Sequence, residues 1–317
     1  MKQNAILVAA PTMRPEGWRK RLATALPGHA VHVLGEKFDK NSIAYAATWW
    51  HPKGSLSDLP NLKAIFSLGA GVDHVFVDPD LPSVPVARVV DADLTQRMSE
   101  WVVLQVLLHH RQQRLYDRQQ KEKLWEEDPE QPAAKDVRIG VMGMGELGAD
   151  AAQKLRTLGF EVAGWSATRK SSPGIRSFAG LEERDAFLAR TDILVVLLPL
   201  TPSTQGIINS DLLSKLAKDG RLGGPFLVNA GRGGLQVEAD MLKALDAGTL
   251  KGASLDVFET EPLPATSPLW SHPRVYVSPH NAAISDHHAI STFIARQIER
   301  LEAGGKLEHV VSREKGY

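Results

Sequence analysis

Short, almost unbroken apolar runs of Val, Ile, Leu and Ala alternate with longer helical patterns along the chain, and no other feature restricts its fold as much. In the first part, AILVAA, AVHVLG, IAYAATWW, LKAIFSLG and VPVARVV read as strands. Further on, VRIGVMG, FEVAGW, DILVVLLP, PFLVNA, GASLDVF and RVYVSPH repeat the pattern, with helical stretches such as GADAAQKLRTLG and EADMLKALDAG between them. A strand that is apolar at nearly every position needs cover on both faces, which points to parallel sheets flanked by helices. The stretch from Ser99 to Trp125 predicts one long helix with Ser99 as its N-cap. EEDPEQPAAKD after it marks a boundary, and ISDHHAISTFIARQIERLEAGG predicts a closing helix. The expectation is an α/β protein with two doubly wound parallel-sheet units.

At 317 residues and 43% hydrophobic, the chain can bury two cores of ordinary size. It has 37 basic and 37 acidic residues, so net charge gives no ground for binding nucleic acid or an anionic membrane surface. With no cysteine, disulfides, thiolate metal sites and a cysteine nucleophile are excluded. The apolar run near the start is too short for a secretory signal, and none approaches the ~20 residues needed to span a bilayer. These features predict a cytoplasmic protein. His287 and His288 are adjacent on the closing helix and point different ways, so no metal site is expected.

VRIGVMGMGELG carries a strand into Gly143, Met144, Gly145, Glu146, Leu147 and Gly148, followed by a helix. This is the context in which a GxGxxG turn holds a dinucleotide. Gly143 permits the tight turn, Gly145 lets backbone approach a pyrophosphate, and Gly148 lets helix and strand pack closely. The N–H groups at the helix start then face the phosphate charge. An acidic residue that bonds the adenosine ribose is expected about 20 residues further on. Ser166 stands 18 residues after Gly148, and Trp165 to Lys170 contain no carboxylate. Ser166, Thr168, Arg169 and Lys170 offer hydroxyls and positive charge instead, with Arg169 able to form paired bonds to a phosphate. The cofactor expected is NADP(H), with NAD(H) as the less favoured possibility.

Three later motifs sit beyond predicted strands. VNAGRGG presents Arg232, LDVFETEPLP presents Asp256 and Glu261, and SPHNAA presents His280. Ligands of open parallel sheets bind beyond the carboxyl ends of the strands, so these loops are expected to converge with the glycine turn.

Together with SLGAGVD and LLPLTPST, in this order and spacing, these motifs resemble the D-isomer-specific 2-hydroxyacid dehydrogenase family over nearly the whole chain. GWSATRKS, SFAG, TSPLW and the terminal GY look like its NADPH-preferring glyoxylate/hydroxypyruvate reductase branch. The resemblance implies a Rossmann cofactor domain over residues 99–284 and a discontinuous, flavodoxin-like substrate domain over 1–98 and 285–317. It implies that His280 exchanges a proton, Glu261 is its carboxylate partner and Arg232 anchors the substrate carboxylate and carbonyl. Histidine titrates near neutrality, and a guanidinium can both align and polarise a 2-keto acid. It further implies substrate contacts from Leu68, Gly69, Ala70 and Gly71, with Trp50 as a pocket wall. Asp256 would meet the nicotinamide carboxamide, and Pro199 and Thr201 would lie in a loop over the cofactor. The partner expected is a small 2-keto or 2-hydroxy acid, and the assembly a homodimer. Asn281 and Gly234 depart from the family's usual residues, apolar and larger respectively. Rival expectations are a phosphoglycerate dehydrogenase, disfavoured by the missing acid and by the chain ending soon after the closing helix, and a dinucleotide-sensing corepressor-like protein, disfavoured by the full Arg, Glu and His set.

Overall fold

The computed structural model describes residues 4–284 and 286–316. Tyr317, half of the terminal GY motif, lies outside them. The chain divides into one unit from residues 1–94 and 285–317 and another from 95–284.

The first unit opens with β1 (Ala5–Ala9), α1 (Pro15–Ala25), β2 (Ala30–Val33), β3 (Ile43–Thr48), β4 (Ala64–Ser67), α2 (Asp73–Phe76) and β5 (Val86–Ala87). Its five strands run parallel in the order β2-β1-β3-β4-β5. Every residue of β1, β3 and β4 is buried, as their unbroken apolar runs require. VPVARVV contributes only the two residues of β5, because the next backbone groups turn to the C-terminal segment. There Arg88 N–H donates to His309 O and Val311 N–H to Val86 O, which covers the sheet edge.

The second unit contains most of α3 (Ala92–His110), then α4 (Gln113–Glu122), β6 (Arg138–Met142), α5 (Glu146–Thr157), β7 (Glu161–Ser166), β8 (Arg176–Ala179), α6 (Arg184–Ala189), β9 (Ile193–Val196), α7 (Ser210–Ser214), β10 (Phe226–Asn229), α8 (Glu238–Asp246), β11 (Gly252–Leu255) and β12 (Val275–Val277). The sheet order β12-β11-β10-β9-β6-β7-β8 reverses direction at β6 and β9. That switch point opens a crevice at the carboxyl ends of the strands. The closing helix α9 (His287–Glu302) belongs to the first unit, where Ile290, Ile294 and Ile298 join Trp18 and Leu22 of α1 in one core. Among the described residues no helix is long and apolar enough to cross a membrane.

Two expectations need correction. The predicted helix from Ser99 to Trp125 is two helices, broken where Gln112 takes a left-handed φ of 52°. The break lets Arg114 donate to Val275 O and lie over the Tyr276 ring, contacts that no local pattern announces. Ser99 does not cap it. The first turn is capped by Asp91, whose carboxylate accepts from the N–H groups of Asp93 and Leu94, while Ser99 is buried and donates to Asp150. RSFA, too short and too polar to read as a strand, forms the edge strand β8 against β7.

Candidate active site

In the second unit the glycine turn follows β6. Gly143 has φ 104°, and an added Cβ would stand 2.6 Å from Leu197 O. At Gly148 it would stand 1.9 Å from Gly143 O, so α5 closes on the turn only without a side chain there. Gly145 is different, since a Cβ would meet nothing within 4 Å. It caps α5 with no side-chain bond, leaving the first N–H groups turned to an open, exposed surface that suits a pyrophosphate. Glu146 is exposed beside it, Leu147 is half-buried, and Met144 points inward onto Gly164.

At the end of β7 the Ser166 hydroxyl is buried without a hydrogen-bond partner, and Thr168, Arg169 and Lys170 are exposed. Arg169 donates to Ser177 O at 2.8 Å and pairs with Glu183 at the start of α6. Glu183 also accepts from Ala179 N–H at 2.7 Å; that bond and Arg169 hold its carboxyl below the usual range. The carboxylate absent from the sequence motif is therefore present in space, bound to the arginine. An unpartnered hydroxyl, a guanidinium and open helix N–H groups fit a phosphorylated dinucleotide. Pro199 and Thr201 follow β9 in a turn closed by Thr204, whose hydroxyl donates to Pro199 O and accepts from Thr201 N–H.

The loops after β10, β11 and β12 hold the remaining groups of this unit. Arg232 is half-buried, and its guanidinium donates to Gly231 O at 2.7 Å. Two buried amides support its loop. Asn229 accepts from Gly231 N–H and donates to Gln236, which in turn donates to Val257 O. Gly233 lies so close to Phe258 O that a Cβ would overlap it at 1.7 Å. Gly234 faces Leu200, with room short by only a few tenths of an ångström.

Glu261 accepts from Phe258 N–H at 3.0 Å with one oxygen and meets His280 Nδ1 at 2.7 Å with the other. Burial opposes its ionisation, but the His280 bond, the Phe258 N–H and the charge of Arg232 outweigh it and keep the carboxyl below its usual range. His280 itself takes φ 50°, uncommon for a residue with a side chain, and its imidazole is 42% exposed. With Nδ1 committed to Glu261, Nε2 is the nitrogen turned to other work. Asp256 supports this loop: it is 2% exposed and accepts from Ser278 Oγ at 2.6 Å, Asn281 N–H at 3.0 Å and Ala282 N–H at 2.9 Å. Its own carbonyl accepts from His280 N–H at 2.8 Å. Asn281 enters through its backbone, so its side-chain departure leaves these bonds intact.

In the first unit, Leu68 and Gly69 are buried, and Ala70 and Gly71 are half-buried. Leu68 N–H is taken by Thr48 O and Gly69 N–H by Ser67 Oγ, so Ala70 and Gly71 are the two amides of the four without such bonds among the described residues. Trp50 is 51% exposed with φ 46°. His287 and His288 are exposed on α9, and no cluster suited to a metal ion occurs among the described residues. Asn229, Gln236, Ser278 and Glu183 went unread in the sequence. Each is a common polar residue whose partner is identifiable only once the loops are folded.

A glycine turn between strand and helix at the switch point of a parallel sheet, with an arginine and a carboxylate-bonded histidine on neighbouring loops of the same sheet, defines a dinucleotide-binding α/β oxidoreductase. Residues 103–282 match the D-isomer specific 2-hydroxyacid dehydrogenase, NAD binding domain, family. The NADPH-dependent glyoxylate/hydroxypyruvate reductase of Sinorhizobium meliloti, solved with NADP and sulfate, is 49% identical with a TM-score of 0.93, over 99% of this chain and 100% of that one. A probable 2-hydroxyacid dehydrogenase from Rhizobium etli CFN 42, solved with NADP, HEPES and L(+)-tartaric acid, is 45% identical with a TM-score of 0.95 over the same shares. A D-isomer specific 2-hydroxyacid dehydrogenase from Xanthobacter autotrophicus Py2, in complex with NADPH and MES, is 38% identical with a TM-score of 0.93, again over 99% and 100%. The chain belongs to the D-isomer specific 2-hydroxyacid dehydrogenase family.

Proposed function

We propose that this protein is an NADPH-dependent reductase of small 2-keto acids, taking glyoxylate to glycolate and hydroxypyruvate to glycerate. The observation that carries this reading is the 2.7 Å bond between His280 Nδ1 and Glu261, in the same unit as Arg232 and the glycine turn. NADPH supplies the hydride when bound. Gly143 to Gly148, Ser166, Thr168, Arg169, Lys170, Pro199, Thr201 and Asp256 are the residues for the cofactor, with Arg169 on the ribose phosphate. That makes residues 99–284 the cofactor domain, and 1–98 with 285–317 the substrate domain.

His280 gives a proton from Nε2 to the oxygen of the carbonyl being reduced. Glu261 holds the ring through Nδ1 and so aims Nε2 at that oxygen. Arg232 draws the carboxylate and carbonyl of the keto acid into line and stabilises charge building on oxygen. In the first unit, the amides of the Leu68, Gly69, Ala70 and Gly71 turn are the groups for a substrate carboxylate, and Trp50 is a wall of the substrate pocket. Two such chains form a homodimer in the cytoplasm. The apolar side chains of Leu104, Leu124 and Trp125, exposed in the second unit, favour burial against another chain.

The deciding experiment follows oxidation of NADPH and NADH with glyoxylate and hydroxypyruvate, for the parent, His280→Ala and Arg169→Asp. Faster NADPH turnover is expected, abolished in His280→Ala and shifted toward NADH in Arg169→Asp. Equal use of NADH would refute the cofactor reading. Cofactor binding without turnover of any small keto acid would favour a dinucleotide sensor.

A further inference from the structure

We propose that His74, in the first unit, is a positioning residue that fastens the Trp50 loop to the Gly69–Gly71 turn and so sets the geometry with which the keto acid carboxylate is held. The proposal rests on the reading of those two loops as substrate-binding.

His74 lies in α2 and is 1% exposed. Its Nδ1 accepts from Trp50 N–H at 3.2 Å, and its Nε2 is 3.1 Å from Ser67 Oγ. A backbone N–H can only donate, so Nδ1 is the bare nitrogen and Nε2 carries the proton. Ser67 agrees with this assignment. Its hydroxyl donates to Gly71 O at 2.8 Å, which leaves the oxygen to accept from Gly69 N–H at 3.2 Å and from the His74 ring. One neutral ring thus joins the backbone after β3 to the backbone after β4, through a serine that grips the turn at both Gly69 and Gly71.

Packing reinforces the connection. The Trp49 ring lies against His74 with centroids 4.4 Å apart, and it also covers Gly69, where an added Cβ would come within 2.6 Å of Trp49 Cζ3. Trp50 holds φ 46°, a conformation that persists only where the surroundings impose it. His51 next to it is pinned separately, with Thr48 Oγ1 2.7 Å from Nδ1 and Asp78 3.1 Å from Nε2. The Trp50 backbone is therefore held by His74 on one side and its neighbour's anchor on the other. The Ala70 and Gly71 amides, available to an anion, are aimed by the bond that Ser67 makes to Gly71 O. An error of about 1 Å in such a cradle is enough to weaken productive binding severely.

The test compares His74→Phe and His74→Asn. Phenylalanine keeps the ring packing and loses both bonds; asparagine puts an acceptor where Nδ1 stood, facing Trp50 N–H. In His74→Phe the KM for glyoxylate is expected to rise about tenfold, with kcat within about threefold and the NADPH dissociation constant unchanged. His74→Asn, which restores the Trp50 bond but not the one to Ser67, should recover only part of that KM. A folded His74→Phe with the parent's KM overturns the proposal, as does a variant whose loss falls on kcat and NADPH binding alike, the mark of general destabilisation. If the phenylalanine variant does not fold, His74→Gln replaces it, since it can reach Ser67 but offers Trp50 no acceptor, with the same KM criterion. A second readout does not depend on turnover: nitrogen-15 NMR of the His74 ring at neutral pH should show Nε2 protonated and Nδ1 bare. The opposite tautomer overturns the proposal even if KM moves. If the parent reduces no 2-keto acid but the expected tautomer is found, the substrate reading fails while the fastening of the two loops stands.

Discussion

At His280 a left-handed backbone, a buried aspartate and a depressed carboxylate act on a single side chain. Glu261 is ionised below the usual glutamate range, so its contribution to stability is fully present above the ordinary pKa and is lost as pH falls through the lowered one. Glu261→Gln removes the partner of the imidazolium. We expect kcat/KM for keto acid reduction to drop about 10²-fold. The KM should change little while kcat falls; a loss that lies wholly in KM would mean that Glu261 does not act through the His280 ring. Glu183 poses a different question, because the Arg169 it neutralises is the group proposed for the ribose phosphate. The pair is exposed and therefore weak, so Glu183→Gln should tighten NADPH up to about fivefold and leave NADH unchanged. Weaker NADPH binding would show instead that the carboxylate holds the guanidinium in its working place. Gly148→Ala forces a methyl group to within 1.9 Å of Gly143 O, and it should abolish dinucleotide binding measured by titration before the fold is lost.

Among the elements, α3 shows how tertiary contact overrides a clear pattern. Its register brings His109 into full burial, with Nε2 2.9 Å from Ser254 Oγ and the ring beside Phe226 and Tyr276. Burial, with the charge of Arg114 adding to it, lowers the His109 pKa to about 3. Unfolding returns it to about 6.5. Between those values the unfolded chain binds the extra proton, so stability falls on acidification by up to about 1.4 kcal/mol per pH unit. His109→Gln should flatten the melting temperature between pH 6.5 and 5, whereas an equally steep decline would place the acid sensitivity elsewhere. The apolar runs behind β1, β3, β4, β6 and β9 were legible because full burial of a central strand leaves its mark on every residue. RSFA left none, being an edge strand half in solvent, and the break at Gln112 carries neither glycine nor proline to announce it.

For the whole molecule, two sheets with separate hydrophobic clusters mean that a ligand of one unit need not stabilise the other. NADPH at a hundred times its dissociation constant contributes about 2.7 kcal/mol to whichever unit binds it. Hydrogen exchange with NADPH alone should therefore show protection gained in β6, α5 and β7 and little change in β1, β3 and β4. Equal gains in both would contradict a cofactor domain confined to the second unit. The linear order of residues was enough for the α/β class, the glycine turn and the absent acid after β7, because each rests on spacing within a short segment or on burial repeated along it. It was not enough for the partner of Arg169, the amides bracing Arg232, the carboxylate beneath His280 or the ring joining Trp50 to Ser67. Those bonds join ordinary polar residues up to 26 positions apart, and no residue type announces its partner until the loops have closed on one another.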